Sequence, residues 1–350
     1  MQKTTVSILT FFFLLLTMVL HAGEPVKIIL DTDIGNDVDD MLALALAHVL
    51  EDRGEIEILA VTMTNDSPSS LRLVSAVNTF YNRQNIPLGI VKAGSSRCDG
   101  RFAQEFVEMK EENGRLFFPN QFGDSTKTEE TFEAVSVLRR TLAAQPDNSV
   151  VIVQIGFFMN LAGLLDSASD MYSSLNGKEL ISQKVKYVSI MAGIFDGTGK
   201  KYPQQGAGFN VARNIPAARN VVENWPTEIV FNGSEIGREL LYPIRHFYED
   251  YEYVPHHPVK EWYTHFRRHQ DRQLTFDLHS VLYAARHDQG YYKTSEPGKV
   301  SFDEKGICDF KPSPDGKHCY LNVDAEQIEL IQKAFIQLLC SPPKKLSRRL

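Results

Sequence analysis

The fold is decided by residues 26–46, VKIILDTDIGNDVDDMLALAL. A largely apolar run from Val26 to Leu30 drops without a spacer into five aspartates within ten residues: Asp31, Asp33, Asp37, Asp39 and Asp40. Apolar side chains resume at once from Met41 to Leu46. That order predicts a buried strand, an acidic loop and a buried helix. Carboxylates crowded at one strand end repel each other unless a cation or hydrogen-bond donors hold them. Oxygen ligands with no Cys or His in the loop favour a hard ion, Ca²⁺ or Mg²⁺. A solvated acidic turn is the plainer alternative, natural for two neighbouring aspartates but not for five between buried segments.

Working outward, strand-like runs alternate with helical ones. A strand is expected at 55–62, a helix at 69–85 with Leu73, Val77, Phe80 and Tyr81 on one side, and a short strand at 87–91. Residues 95–126 show no period and are expected over the surface. A helix at 128–144, opened by Glu129 and Glu130, ends before Pro146. Strands are expected at 150–153, 185–191 and 227–231, with helices at 161–165 and around 217–222. This βαβα order implies an α/β fold, a mainly parallel open sheet with helices on both faces. The aromatic and basic stretch 243–276 reads as a helical flap, Asp277 as the cap of a helix, 298–323 as a small β element, and 325–340 as a terminal helix.

Residues 1–23 carry Lys3, the apolar run 8–20 and the small residues Ala22 and Gly23. This is the pattern of a secretory signal peptide, so the protein is expected to be secreted or periplasmic and off the membrane once the signal is removed. One domain is expected over 24–340 and a disordered tail over 341–350. A formal net charge of -7 gives no reason to expect nucleic acid as a partner. Export permits disulfides, and Cys308 and Cys319, flanking a turn-like stretch at 311–316, are the expected pair, with free buried thiols the alternative. Asn65 and Asn232 each open a glycosylation tripeptide, a pattern that also arises by chance.

Four polar clusters follow apolar strands: the aspartate loop, Thr64-Asn65-Asp66, Gln154-Ile155-Gly156 with Asn160, and Gly208-Phe209-Asn210. In a parallel sheet such strand ends share one edge, where ligands bind. Asp277 is expected to join them. A hard cation beside Asn side chains suits a ligand with vicinal hydroxyls.

Asp31-Thr-Asp33-Ile-Gly35 followed by Asp39-Asp40-Met-Leu-Ala43 resembles the N-terminal signature of the inosine-uridine-preferring nucleoside hydrolases. Later segments fit in order: Ala60 to Asn65, Val153 to Ala162, Met191-Ala-Gly193, Phe209-Asn210 and Asp277 to Tyr283. The resemblance spans roughly residues 26–340. It implies Ca²⁺ bound by Asp33, Asp40, the Ile155 carbonyl and Asp277, with Asp31 in support. It further implies that Asp39, Asn65 and Asn210 hold ribose hydroxyls, with Asn160 a further candidate. Asp33 would accept the proton of the attacking water as an N-glycosidic bond opens. A homodimer or homotetramer is implied as well.

Three departures stand out. Asn36, Asp37 and Val38 precede the aspartate pair where the family has one residue, which makes Asp37 an alternative ligand. Phe276 stands where many members have the His that protonates the leaving base, so either His279, His269 or Tyr263 substitutes or the substrate's leaving group is good enough to need no donor. Gly208 replaces a common ribose-binding Glu. The expected function is therefore Ca²⁺-dependent hydrolysis of a ribonucleoside to ribose and base. The alternative is a homologue that binds the sugar or nucleoside without turnover. A haloacid-dehalogenase phosphatase is disfavoured by Gly35 at its Thr or Val position, and an EF-hand by Asn36 and Leu42.

Overall fold

The computed structural model describes residues 24–35, 37–92, 101–122, 133–195, 207–266 and 272–344. The segment read as an export signal, Cys98, Glu129, Glu130, His269 and 345–350 lie outside those residues.

The aspartate-rich stretch folds as its pattern predicts. Strand β1 (Val26–Thr32) leads through the loop into helix α1 (Asp39–Asp52). Every residue of α1 from Asp39 to Leu50 is buried, as a helix apolar on all sides requires. Strand β2 (Ile56–Met63) follows, then α2 (Pro68–Phe80), which starts on Pro68, where a missing N–H is no loss. Strand β3 (Leu88–Ile90) comes next. The stretch 95–126 departs from expectation, because it contains helix α3 (Arg101–Val107). Its Ala103, Phe106 and Val107, with Phe118 beyond, join the main core. Seven residues are too few for a helical period to stand out.

Helix α4 (Ala134–Ala143) is capped by Glu133, which accepts from the Ser136 amide. Then come β4 (Val150–Gln154), α5 (Met159–Leu165), α6 (Gly177–Lys184), β5 (Val185–Met191), α7 (Phe209–Ala212), α8 (Ile215–Asn224) and β6 (Glu228–Asn232). The aromatic stretch resolves into α9 (Ser234–Glu239), β7 (Leu241–Tyr242), α10 (Arg245–Glu249), α11 (Pro258–Phe266) and β8 (Gln273–Leu274). Trp262, Tyr263 and Tyr251 are buried there, so the region is core as well as cover. The chain closes with α12 (Leu278–Arg286), β9 (Lys293–Thr294), β10 (Gly298–Phe302), β11 (Cys308–Pro312), β12 (His318–Asn322) and α13 (Ala325–Leu339).

The large sheet runs β11-β10-β12-β6-β5-β4-β1-β2-β3, with β9 paired to β12. It is parallel from β12 to β3 and antiparallel around β9, β10 and β11. Two apolar clusters pack against it, one built on α1, α2, α12 and α13, the other on α4, α5, α6 and α8. The chain passes from β1 to β2 and β3 on one side, then returns to lay β4 on the other. Strand order thus reverses between β1 and β4, the kind of crevice in which open α/β sheets bind ligands.

Cys308, Cys319 and Cys340 are free thiols, so the expected Cys308–Cys319 bridge is not formed. The reason is topological: β10 lies between β11 and β12. Two strand spacings amount to roughly 9–10 Å, beyond disulfide reach. Of the expected tail, 341–344 are placed: Ser341 accepts from Arg53 at 3.4 Å and the Lys344 amide donates to Asp52 at 2.8 Å. Among the described residues no helix is long and apolar enough to cross a membrane.

Candidate active site

Two loops leave the switch point and are stitched together by main-chain bonds. The Asp31 carbonyl accepts from the amides of Ile155 and Gly156 at 2.8 and 3.2 Å, and the Thr32 carbonyl accepts from the Thr64 amide at 2.8 Å. Gly156 is required by this closeness, since a Cβ there would lie 2.6 Å from the Asp33 amide nitrogen. Gly35 turns the first loop at φ +123°, a conformation that L side chains rarely adopt. Its neighbour Ile34 offers a carbonyl to Asn65 Nδ2 and Ser70 Oγ, both at 2.9 Å. Trp262 Nε1 donates to the Asp37 carbonyl at 2.9 Å, fixing the loop from the far side. Thr32, between Asp31 and Asp33, donates to Asp40 at 2.5 Å and so ties the strand end to the first turn of α1.

Asp39, Asp40 and Asp277 are all buried and each turns a carboxylate oxygen to a common point, the three atoms within 4.8 Å of one another. Asp277 occupies the N-cap position of α12, yet its side chain makes no capping bond. The expectation of an Asp-capped helix start is corrected in that respect: the carboxylate joins the cluster instead. Burial, with repulsion from Asp33 and Asp39, pushes Asp40 well above the usual carboxylate range; burial, with Asp39, Asp40 and Asp33, does the same to Asp277. Asp33 and Asp37 act on this group through their charge.

Asp31 is fully buried. Its Oδ1 accepts from Thr62 at 2.6 Å and from Asn160 at 2.7 Å, while Oδ2 has no partner. Burial outweighs those bonds and raises the carboxyl to about 7. Gln154 Oε1, Asn160 Oδ1 and Asn232 Oδ1 are likewise buried acceptors without partners. Buried polar atoms are normally paired. Orphaned acceptors at the ends of β1, β4 and β6 and the start of α5, beside three mutually repelling carboxylates, fit a hard cation with a hydroxyl-bearing ligand.

Of the residues expected to bind metal, the structure brings Asp40 and Asp277 together and adds Asp39, which was expected on the ribose. The Ile155 carbonyl accepts from Asn210 Nδ2 at 3.0 Å, and the same amide donates to the Met191 carbonyl at 3.2 Å. Asn65 donates to Ile34 and accepts from the Ser67 amide at 3.2 Å. Asn160 holds Asp31 and the Met63 carbonyl.

His279 is corrected. Its ring is fully buried, with Nε2 3.1 Å from Thr275 Oγ1 and Nδ1 2.9 Å from the Tyr292 hydroxyl. Thr275 already donates to the Leu240 carbonyl, so it accepts from Nε2–H and leaves Nδ1 to accept from Tyr292. Neither nitrogen is left for a leaving base, and burial pushes the ring down to about 3. Tyr263 is stacked on Phe247 in the core at 3.9 Å. Phe276 lies 5.7 Å beneath the Arg238 guanidinium.

Three contributors escaped the sequence reading: Thr32, Trp262 and Asn232. Asn232 ends β6 and donates to the Phe276 carbonyl at 2.5 Å, next to Asp277. It is fully buried, as is Asn65, so neither tripeptide is an accessible glycosylation site in the fold. A polar residue closing an apolar strand was the signal that marked the other clusters, and Asn232 carries it too.

The family model of inosine-uridine preferring nucleoside hydrolases matches residues 28–327. The fold is similar to that of a plant nucleoside hydrolase, PpNRh1, at TM-score 0.65 and 18% identity over 91% of this chain and 100% of that one. It is similar to a purine-preferring ribonucleoside hydrolase from Gardnerella vaginalis at TM-score 0.65 and 15% identity, covering 93% and 100%. An inosine-guanosine nucleoside hydrolase aligns at TM-score 0.65 and 17% identity over 90% and 97%. No curated protein matches.

Proposed function

The chain belongs to the inosine-uridine preferring nucleoside hydrolase family, and from that premise we propose that it is a Ca²⁺-dependent N-glycosidase that splits a ribonucleoside into ribose and free base. The observation that carries the reading is the buried Asp39–Asp40–Asp277 group at the sheet's switch point. Asp40 and Asp277 would hold the ion, with Asp39 and the Ile155 carbonyl beside them and Asp33 or Asp37 completing the oxygen donors. When bound, a hard divalent ion offsets the carboxylate repulsion and supplies Lewis acidity toward water.

The chain's own groups supply the rest. Asp33, buried at the end of β1 beside the cluster, accepts the proton of the attacking water. The crowded carboxylates favour the positive charge that grows on the sugar ring as the glycosidic bond lengthens. Asn65, Asn160 and Asn210, with Asp39, are the candidates to orient ribose hydroxyls. Burial of the whole group excludes bulk water and strengthens each of these interactions.

A second reading keeps the same ion and sugar but no turnover. Phe276 favours it, because neither its ring nor the Arg238 guanidinium above it releases a proton to a leaving base. Incubation of the protein and Ca²⁺ with purine and pyrimidine ribonucleosides, with chromatography for free base, separates the two. Base release supports the hydrolase; saturable binding without release supports the binder. We propose also that residues 1–23 direct export to a secreted or periplasmic location, which mass spectrometry of the mature N-terminus tests. A homodimer or homotetramer is the expected assembly, testable by light scattering.

A further inference from the structure

A second cluster of metal-binding side chains lies far from the carboxylates. His246 and Asp250 stand four residues apart, the first in α10 and the second at its C-cap, so both project on one side. Cys340, the C-cap of α13, meets them from the other end of the chain. Its thiol lies 2.8 Å from Asp250 Oδ2 and 4.0 Å from His246 Nδ1, and the same Oδ2 makes a short hydrogen bond with Nδ1. The three atoms thus surround one small space. Asp39 and Asp40 begin α1, whereas Ser341, next to Cys340, bonds Arg53 at its end. The length of α1 therefore separates the two clusters by about 20 Å.

We infer that His246, Asp250 and Cys340 form a second metal site, selective for a thiophilic divalent ion such as Zn²⁺ rather than Ca²⁺. The donor set decides the class: a thiolate, an imidazole nitrogen and a carboxylate oxygen are zinc ligands, while Ca²⁺ takes oxygen. His246 is more than nine-tenths buried, and its Nε2 has no partner, so the polar bonding of the ring is spent on this cluster. Asp250 and Cys340 are only partly buried, which leaves an approach for the ion and a position for water. The Tyr242 hydroxyl, 3.7 Å from the sulfur, is placed to donate to a thiolate. Binding releases the Cys340 proton to solvent. The site would pin the C-terminal helix to α10.

The test is equilibrium dialysis of the full chain against Zn²⁺, with excess Ca²⁺ present to occupy the carboxylate cluster. Wild type is expected to retain one Zn²⁺ that Cys340→Ser binds at least tenfold more weakly. Two measurements on the wild type need no variant. Co²⁺ should give a thiolate charge-transfer band, and Zn²⁺ should slow alkylation of Cys340, read residue by residue by mass spectrometry, but not of Cys308. Equal Zn²⁺ affinity in Cys340→Ser, no thiolate–cobalt band, or unprotected Cys340 overturns the assignment. None of these readouts depends on nucleoside turnover.

Discussion

Asp277 and Asp40 lie far apart in the sequence, yet their carboxylate oxygens are within 4.8 Å of each other, both buried. Burial raises the proton affinity of both, Asp33 and Asp39 add to it at each, and Asp40 adds to it at Asp277, so the group is electrostatically unfavourable without a counter-charge. Replacing Asp277 by Asn removes one of the charges. In chelator, Asp277→Asn is expected to melt at a higher temperature than wild type. On adding Ca²⁺ the order should reverse. At a hundredfold excess over its dissociation constant, an ion bound only by the native state contributes about 2.7 kcal/mol, and the variant should lose most of it. Scanning calorimetry with and without Ca²⁺ reads both signs.

Gly156 tests the contact between the two loops. Its substitution by Ala puts a methyl group 2.6 Å from the Asp33 amide nitrogen and forces the β4 loop away from the β1 loop. Catalytic efficiency for base release should fall by more than tenfold, while far-UV circular dichroism stays native. Unchanged kcat/KM would show that the registry of these loops is unimportant.

His279 is expected to be structural. His279→Gln should keep kcat within about twofold and lose about 1–3 kcal/mol of stability, the usual range for a disrupted buried hydrogen-bond pair. A loss of kcat of a hundredfold with an unchanged melting temperature would return the ring to catalysis.

The same residue sets a pH dependence. Burial lowers His48, His257 and His279 to about 3, against an ordinary value of 6.5. Their folded values are depressed, so the unfolded chain takes up protons first. Stability is therefore complete above pH 6.5 and lost as pH falls toward 3, by about 1.4 kcal/mol per pH unit for each ring. Asp40 and Asp277, whose folded values are raised, titrate in the opposite sense, so the comparison must be differential. Denaturant unfolding of wild type and His279→Gln at pH 7, 6 and 5 should give slopes differing by one ring's share.

Much of this arrangement is legible in the chain. The abrupt change from Leu30 to Asp31, then from Asp40 to Met41, marks strand, loop and helix because burial and charge leave little else to choose. Short polar runs after apolar strands mark the edge of the sheet. What stays hidden is set by tertiary packing. Asp277 is legible as a member of the site, but its side chain also reads as a helix cap because Asp commonly starts helices, and only the approach of α1 shows that the capping bond is not made. Cys308 and Cys319 look like partners because a turn joins them, until β10 inserts between their strands. His279 reads as reactive by residue type, and only Thr275 and Tyr292 reveal a ring with both nitrogens engaged. Helix α3 is too short, and Trp262 too distant in sequence from Asp37, for periodicity or spacing to find either.

The most direct measurement is the initial rate of base release as free Ca²⁺ is varied with a buffering chelator, for wild type and Asp277→Asn. Wild type should show a saturable rise from no detectable rate, with activity restored when Ca²⁺ is returned. The variant should need at least a hundredfold more Ca²⁺ for the same rate. Turnover that persists in chelator, or an identical Ca²⁺ curve for both proteins, would contradict an ion held between Asp40 and Asp277.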